Sequence, residues 1–257
     1  MATICVGVLT RNEEKNISAC LETARWADEI VVLDCLSTDR TVAQARRYTP
    51  RVFERPFTNF AEQRNAAMAL VQSDWLFFLD ADERITPSLA EEIRTVVNAN
   101  GDQGEAVAGF WVPRENYIWG SLIRHGGWRP DYQLRLLRRG RAAYDPSREV
   151  HEVVRLEGTA AYLKNPLLHY NYDSLRQFTS KQRLYSGIQA RSMWRNGVRP
   201  RPRNYVLQPL REFRRRYFEL GGWGDGWRGL LLAALLGYYT LDTYLKLRRL
   251  WKESPCP

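Results

Sequence analysis

The sequence predicts an α/β protein: a mostly parallel sheet flanked by helices, with an antiparallel extension and a basic helical C-terminal region. Three observations carry that reading. The first 100 residues alternate strand-like and helix-like segments, a pattern that builds a parallel sheet with helices on both faces. Residues 105–172 carry strand-like runs without clear helices between them. The charge is also uneven: residues 190–257 hold 14 Lys+Arg against 5 Asp+Glu, while residues 1–189 hold 24 of each.

Taken in order, Ile4 to Leu9 is an apolar run bounded by charge, hence a buried strand. Asn12 reads as the N-cap of the helix after it, with Glu13 and Glu14 in the first turn. Ile17, Cys20, Leu21 and Ala24 give that helix its apolar face. Glu29 to Asp34 is the second strand, and Ser37-Thr38-Asp39 caps a helix from about Thr41 to Tyr48. Val52-Phe53 is a short third strand, and Asn59 to Val71 a helix with Arg64 and Asn65 in its middle. Trp75 to Leu79 is the fourth strand. Thr86-Pro87 pairs an N-cap with proline at the first helical position and opens a helix to about Asn98.

In the middle part the strand-like runs are Gly109 to Pro113, Tyr132 to Leu137 and Val150 to Leu156. Residues 120–131 are Gly-rich and aromatic, the composition of a mobile loop over a site. The last part reads as a helix over 174–196, a breaker at Arg199-Pro200-Arg201-Pro202-Arg203, a helix from about Val206 to Leu220, and a helix from about Arg228 to Trp251. The expected division is a domain over 1–172, its halves 1–104 and 105–172, then a helical basic region over 173–257.

Composition excludes several classes. At 44% hydrophobic and 26% charged residues the chain is neither disordered nor fibrous. Cys5, Cys20, Cys35 and Cys256 show no CxxC spacing, so three buried thiols and one tail thiol in a reducing compartment are expected. The N-terminus does not read as a signal peptide. The longest apolar stretch, Gly229 to Tyr239, is 11 residues, against roughly 20 for a membrane span. The basic region points to an anionic partner.

Three strands end in polar clusters: Thr10/Asn12/Glu13, Asp34/Ser37/Asp39 and Asp80/Asp82. A parallel sheet brings such ends to one edge, where ligands bind in open α/β sheets. Asp80 and Asp82, two apart at a strand end, suit a shared Mg²⁺ or Mn²⁺ that also takes phosphate oxygens. Together the clusters suit a nucleoside-diphosphate ligand.

Here the sequence resembles a family. Leu9-Thr10-Arg11-Asn12-Glu13-Glu14, Asp34-x-x-Ser37-Thr38-Asp39-x-Thr41, Arg64-Asn65 and Leu79-Asp80-Ala81-Asp82-Glu83 are similar to the signatures of family 2 glycosyltransferases with the GT-A fold. His125-Gly126-Gly127-Trp128-x-Pro130-Asp131-Tyr132-Gln133-x-Arg135-Leu136, Val150-His151-Glu152, Leu167-Leu168-His169-Tyr170 and Gly224-Asp225-Gly226-Trp227-Arg228-Gly229 resemble the lipopolysaccharide inner-core β-1,4-glucosyltransferase subgroup. That resemblance implies an inverting hexosyl transfer, with glucose from UDP-glucose placed on a heptose of the inner core, at the cytoplasmic face of the bacterial inner membrane.

It also implies roles. Thr10, Asn12 and Glu13 would line the nucleoside pocket, with Asp34 on the base and Ser37 or Asp39 supporting it. Asp82 would hold Mg²⁺ or Mn²⁺, Asp80 would touch the metal or ribose, and Arg64 would bond the diphosphate. The base that takes the acceptor proton would be Asp131, Glu152 or Glu149, Asp131 being favoured. His151 would hold the metal or orient the acceptor, while His169, on an apolar strand, reads as structural. Trp128, Tyr132 and Arg135 would face the acceptor. The last helix sets a leucine-rich face beside tryptophans and basic ends, which suits an anionic membrane surface. The same chemistry on a protein, polyprenyl phosphate or another glycan is the competing expectation. A non-enzymatic nucleic-acid-binding module is a remote one, so no nucleic-acid partner is expected.

Overall fold

The structure is a computed structural model describing residues 1–99, 107–145 and 154–253. Its strands are β1 Ile4–Thr10, β2 Glu29–Asp34, β3 Val52–Glu54, β4 Trp75–Asp80, β5 Glu83–Ile85, β6 Val107–Ile118, β7 Ser121–Ile123, β8 Tyr132–Arg138, β9 Ala142–Tyr144, β10 Val154–Leu156, β11 Thr159–Tyr162 and β12 Leu167–Tyr172. Its helices are α1 Ile17–Glu22, α2 Thr41–Ala45, α3 Phe60–Leu70, α4 Pro87–Ala99, α5 Leu175–Arg195, α6 Asn204–Arg214 and α7 Gly226–Glu253. The chain forms two compact units: residues 1–115 with 131–169, and residues 116–130 with 170–257. The segment 116–130 therefore clusters with the C-terminal helices, where the sequence reading grouped it with the second half of the first domain.

In the first unit β1 pairs in parallel with β2 and β4, and β2 in parallel with β3. The sheet then turns antiparallel, β4 to β8 and β8 to β6. Its strand order is β3-β2-β1-β4-β8-β6-β12-β5. The alternation of β4 explains the layering. Phe77 and Leu79 join Ile17 and Leu21 of α1 and Leu89 and Ile93 of α4. Leu76 and Phe78 join Ala61 and Ala67 of α3. A strand buried on both faces is the reason its run reads as continuously apolar.

Two local expectations are met by their hydrogen bonds. Asn59 caps α3 by accepting from the Glu62 N–H, and the Thr86 hydroxyl accepts from the Leu89 N–H ahead of α4. Cys5, Cys20 and Cys35 are buried free thiols, and burial pushes the Cys5 thiol up to about 12. Cys256 lies outside the described residues.

The second unit is built around α7, which packs against α5 and α6. Its core gathers Ile118, Ile123, Tyr172, Phe178, Leu232 and Tyr239. Gly229 permits the tightest approach: a Cβ there would sit 1.7 Å from the Gly222 carbonyl oxygen. Among the described residues no helix is long and apolar enough to cross a membrane.

Segment 120–131 differs from the mobile loop expected of it. The Arg124 and His125 N–H groups both donate to the Asp225 carboxylate, at 3.1 and 2.8 Å. The Gly126 N–H donates to the Leu220 carbonyl, and Arg216 donates to the Gly126 carbonyl, both at 2.8 Å. Gly126 and Gly127 have φ of 67° and 83°, which glycine adopts without strain.

Candidate active site

The parallel register delivers the expected strand ends to one edge. Thr10 is opposite Asp34, and Leu9 is opposite Asp80. Asp34 is fully buried, which costs a carboxylate heavily unless it is hydrogen-bonded. Ser37 meets that need twice, its hydroxyl donating to Oδ1 at 2.5 Å and its N–H to Oδ2 at 2.6 Å.

Asn12 does not cap a helix. Its φ of 54° and the start of α1 at Ile17 place it in a turn. There its N–H donates to the Ser37 hydroxyl at 2.7 Å, and its Oδ1 accepts from the Thr38 N–H at 2.8 Å. Next to it the Glu13 N–H donates to the Thr41 hydroxyl, and the Glu14 N–H to Asp39. Asp39 also accepts from the Thr41 N–H at 2.9 Å. The loops after β1 and β2 are thus one hydrogen-bonded unit, with Thr10 buried behind it.

On the other side of β1 lies an alternating ladder of charge. Arg64 of α3 reaches Asp80 at 3.7 Å while its guanidinium sits 4.9 Å over the Phe78 ring. Arg135 bonds Asp80 and also Glu83, the latter at 2.6 Å. Arg114 of β6 bonds Glu83 at 3.2 Å and Asp131 at 2.8 Å. Gln133 donates to the other Asp131 oxygen at 2.9 Å. Glu83 has no exposed surface, and it also accepts the Asp80 N–H at 2.9 Å. It is the hub that joins the Asp80 end of the ladder to the Asp131 end.

Burial alone would raise the Asp80 carboxyl; Arg135 and then Arg64 overcome this and hold it well below the usual carboxylate range. The reciprocal effect holds Arg135 charged, above its ordinary value, against the burial that would lower it. Arg135 was expected at the acceptor. It is instead 4% exposed and locked between two carboxylates, because a buried guanidinium needs such partners. It is withdrawn from the acceptor set.

Asp82 follows two residues after Asp80. Its Oδ2 lies 3.6 Å from Nε2 of His169. The meeting depends on β5, which the sequence reading lacked: β12 pairs antiparallel with β5, with His169 opposite Glu83. His169, read from sequence as structural, is thus the functional candidate that reading missed. A side chain two residues from Leu167 and flanked by apolar positions looks like core until the partner strand is known.

The donor chemistry of this pair bears on the metal expectation. Asp82 offers the carboxylate oxygens that Mg²⁺ or Mn²⁺ takes together with phosphate oxygens and water, and the His169 imidazole beside it adds a nitrogen donor. Among the described residues no group of three or more His, Cys, Asp or Glu side chains is arranged to hold a metal. An ion here would depend on the substrate for its remaining ligands.

Other expected residues are scattered. Tyr132 is 40% exposed, with its ring 5.1 Å from that of Tyr162. Trp128 belongs to the second unit and packs edge-on to Tyr172 at 6.4 Å. Glu149, His151 and Glu152 lie outside the described residues. The Asn65 side chain holds β9, just before them, by two 2.9 Å hydrogen bonds to the Tyr144 backbone.

A buried, hydrogen-bonded acid at the end of β2 and an Asp–His pair just beyond β4 lie on an α/β sheet whose β4 end is ringed by arginines. Residues 5–169 match the model for glycosyl transferase family 2. The lipopolysaccharide core biosynthesis glycosyltransferase LpsC of Rhizobium meliloti (strain 1021) is 30% identical over 246 residues, 93% of this chain and 90% of that protein. An uncharacterized glycosyltransferase of Rickettsia bellii (strain RML369-C) is 24% identical over 95% of this chain and 85% of its own length. Among solved structures, S. aureus TarS 1-349 in complex with UDP covers 98% of this chain and 91% of its own, at 13% identity and a TM-score of 0.49. The chain belongs to glycosyltransferase family 2, and it is a glycosyltransferase.

Proposed function

We propose that this enzyme transfers a hexose, glucose from UDP-glucose, to a heptose of the lipopolysaccharide inner core, with inversion and with Mg²⁺ or Mn²⁺ as cofactor. It would work while peripheral on the cytoplasmic face of the inner membrane, its acceptor being lipid-linked. The observation that carries the chemistry is the Asp82–His169 pair set beside an Asp80 already neutralised by Arg135 and Arg64. The acceptor reading is supported by the resemblance to the lipopolysaccharide core enzyme LpsC.

In this reading Asn12, Glu13 and Thr10 shape the nucleoside pocket, and Asp34, fixed by Ser37, bonds the base. Asp39 holds the two loops together. Asp82 and His169 hold the cation, which supplies charge stabilisation for the departing diphosphate. Arg64 lies close enough to Asp80 to share itself with a phosphate. Asp80 faces the ribose, because its charge is already matched.

Inversion in one displacement requires a carboxylate to take the acceptor hydroxyl proton as that oxygen bonds the anomeric carbon. Asp131 is the residue we assign, with Glu152 and Glu149 as alternatives. Arg114 and Gln133 orient Asp131, one on each carboxylate oxygen. Asp131→Asn against Glu152→Gln and Glu149→Gln decides among them: the base variant loses turnover but keeps donor affinity.

Calorimetric titration with UDP-glucose, GDP-mannose and UDP-GlcNAc, with and without Mn²⁺, tests the donor. Transfer of radiolabel to heptose-terminated lipopolysaccharide, against protein, polyprenyl phosphate and other glycans, tests the acceptor. Full transfer by Asp82→Ala in the presence of EDTA would sink the metal assignment.

A further inference from the structure

The outward face of α6 combines arginines with large exposed apolar side chains. Along residues 203–218 the exposed positions are Arg203, Val206, Leu207, Leu210, Arg211, Arg214, Arg215 and Phe218. That is a helical period running past the end of α6, its exposed side chains arginine or apolar until the exposed Glu219, which pairs with Arg214. Val206, Leu210 and Phe218 are 61%, 58% and 60% exposed. No residue of α6 is buried, although the helix packs on α7. A face meant for water would mix acids with bases and would not leave such side chains uncovered.

A cleft of about 450 Å³ adjoins this face, lined by Arg199, Arg201, Arg203 and Arg211 together with Asn204, Gln208 and Leu207. Arg214 and Arg215 have carboxylate partners in Glu219 and Glu212. Among the described residues no carboxylate pairs with the four arginines of the cleft. Like charges gathered without a counter-charge repel one another, and phosphate oxygens relieve that repulsion with paired N–H donors. Arg199 is positioned by stacking 4.8 Å over the Trp251 ring, whose indole N–H donates to the Val198 carbonyl at 2.8 Å.

We propose that α6 and the preceding Arg199–Arg203 segment are a membrane-docking element. The arginine cleft takes lipid phosphates, and Val206, Leu207, Leu210 and Phe218 enter the headgroup boundary of an anionic bilayer. Charge complementarity selects this occupant: arginines around aliphatic side chains match phosphates around acyl chains. The element deepens the peripheral-membrane reading by naming its surface and ligand chemistry. It does not depend on the donor or the acceptor sugar.

The test is vesicle co-sedimentation of the full chain without nucleotide-sugar, so failure of the transferase reading leaves it untouched. Phosphatidylglycerol-containing vesicles should carry the protein down, and phosphatidylcholine vesicles should not. Replacing Arg199, Arg201, Arg203 and Arg211 by Gln should weaken partition about fivefold per residue at low salt. Leu210→Glu should weaken it by about tenfold. Both variants should keep the wild-type thermal transition and UDP-glucose affinity. Inorganic phosphate at millimolar levels should not release bound protein, which separates a lipid surface from a free anion site. Equal partition to both vesicle types, or wild-type partition by Leu210→Glu, overturns the proposal. So does RNA binding without vesicle binding, or a dimer in solution that Leu210→Glu dissolves.

Discussion

The two ends of this chain use arginine in opposite ways. In the first unit Arg64, Arg135 and Arg114 are 12%, 4% and 16% exposed, and each is matched to a carboxylate. In the second, Arg199, Arg201, Arg203 and Arg211 line an open cleft, and among the described residues none has such a match. The sequence charge says the same in outline, since residues 1–189 are balanced and the surplus of nine lies beyond them. A buried charge must be answered within the fold, because leaving it unanswered costs several kcal/mol. An outward one is free to wait for a partner. The first kind makes a rigid site, and the second makes a surface.

The strongest way to break this contrast is Glu83→Ala. Glu83 answers two guanidiniums and one N–H from a position with no exposed surface. Its loss should destabilise the protein by about 3–5 kcal/mol, read as a fall in the urea midpoint. An equal substitution in the other region, Arg201→Ala, should change stability by no more than about 0.5 kcal/mol. If the two variants unfold alike, the contrast fails.

Asp82→Ala separates chemistry from architecture. Asp82 meets His169 at 3.6 Å and its side chain is 21% exposed, so the urea midpoint should move less than in Glu83→Ala. Turnover should fall on the order of 10³-fold, corresponding to several kcal/mol of lost charge stabilisation. His169→Ala should act in the same direction and raise the Mn²⁺ concentration needed for half-maximal rate. A His169→Ala enzyme with unchanged metal dependence would return that residue to the structural role its sequence context suggests.

Much of the first unit was legible because each strand of β1, β2 and β4 carries its own signal, an apolar run closed by a polar residue. The strand ends Thr10, Asp34 and Asp80 followed from that alone. What escaped were features made by distant pairing. β5 is three residues long and looked like the tail of an acidic turn. Glu83 looked like a third acid of that turn, and only Arg135 and Arg114, 52 and 31 positions away, make its burial possible. His169 escaped for the same reason, and Arg135 was assigned outward because an arginine in a strand of leucines gives no sign of its partners. Asn12 was misread because its side chain serves a neighbouring loop, while a local rule expects it to serve its own helix.

Ser37→Ala probes the nucleoside end. It removes one hydrogen bond to a buried carboxylate and the acceptor of the Asn12 N–H, and leaves Asp34 with the Ser37 N–H. The expected cost is about 1.5–3 kcal/mol of stability, with UDP affinity weakened in parallel if Asp34 holds the base. Retained UDP affinity at reduced stability would mean that Asp34 supports the loop without touching the nucleotide.

A small effect is expected at Asp80, and its sign can be worked out. Its side chain is 35% exposed, so solvent screens its ion pairs and their worth to stability falls toward the surface-pair range, about 1 kcal/mol or less. Its carboxyl is held below the ordinary range in the folded state. A depressed folded pKa stabilises at any pH above the unfolded value, near 3.9, and that contribution fades as pH falls toward the folded value. The gap in urea midpoint between wild type and Asp80→Asn should therefore be constant from pH 7 to about pH 5 and close only below about pH 4. A gap that closes near neutrality would mean that Asp80 is not held by Arg135 and Arg64. The ladder would then end at Glu83, leaving Asp80 available to the metal alongside Asp82.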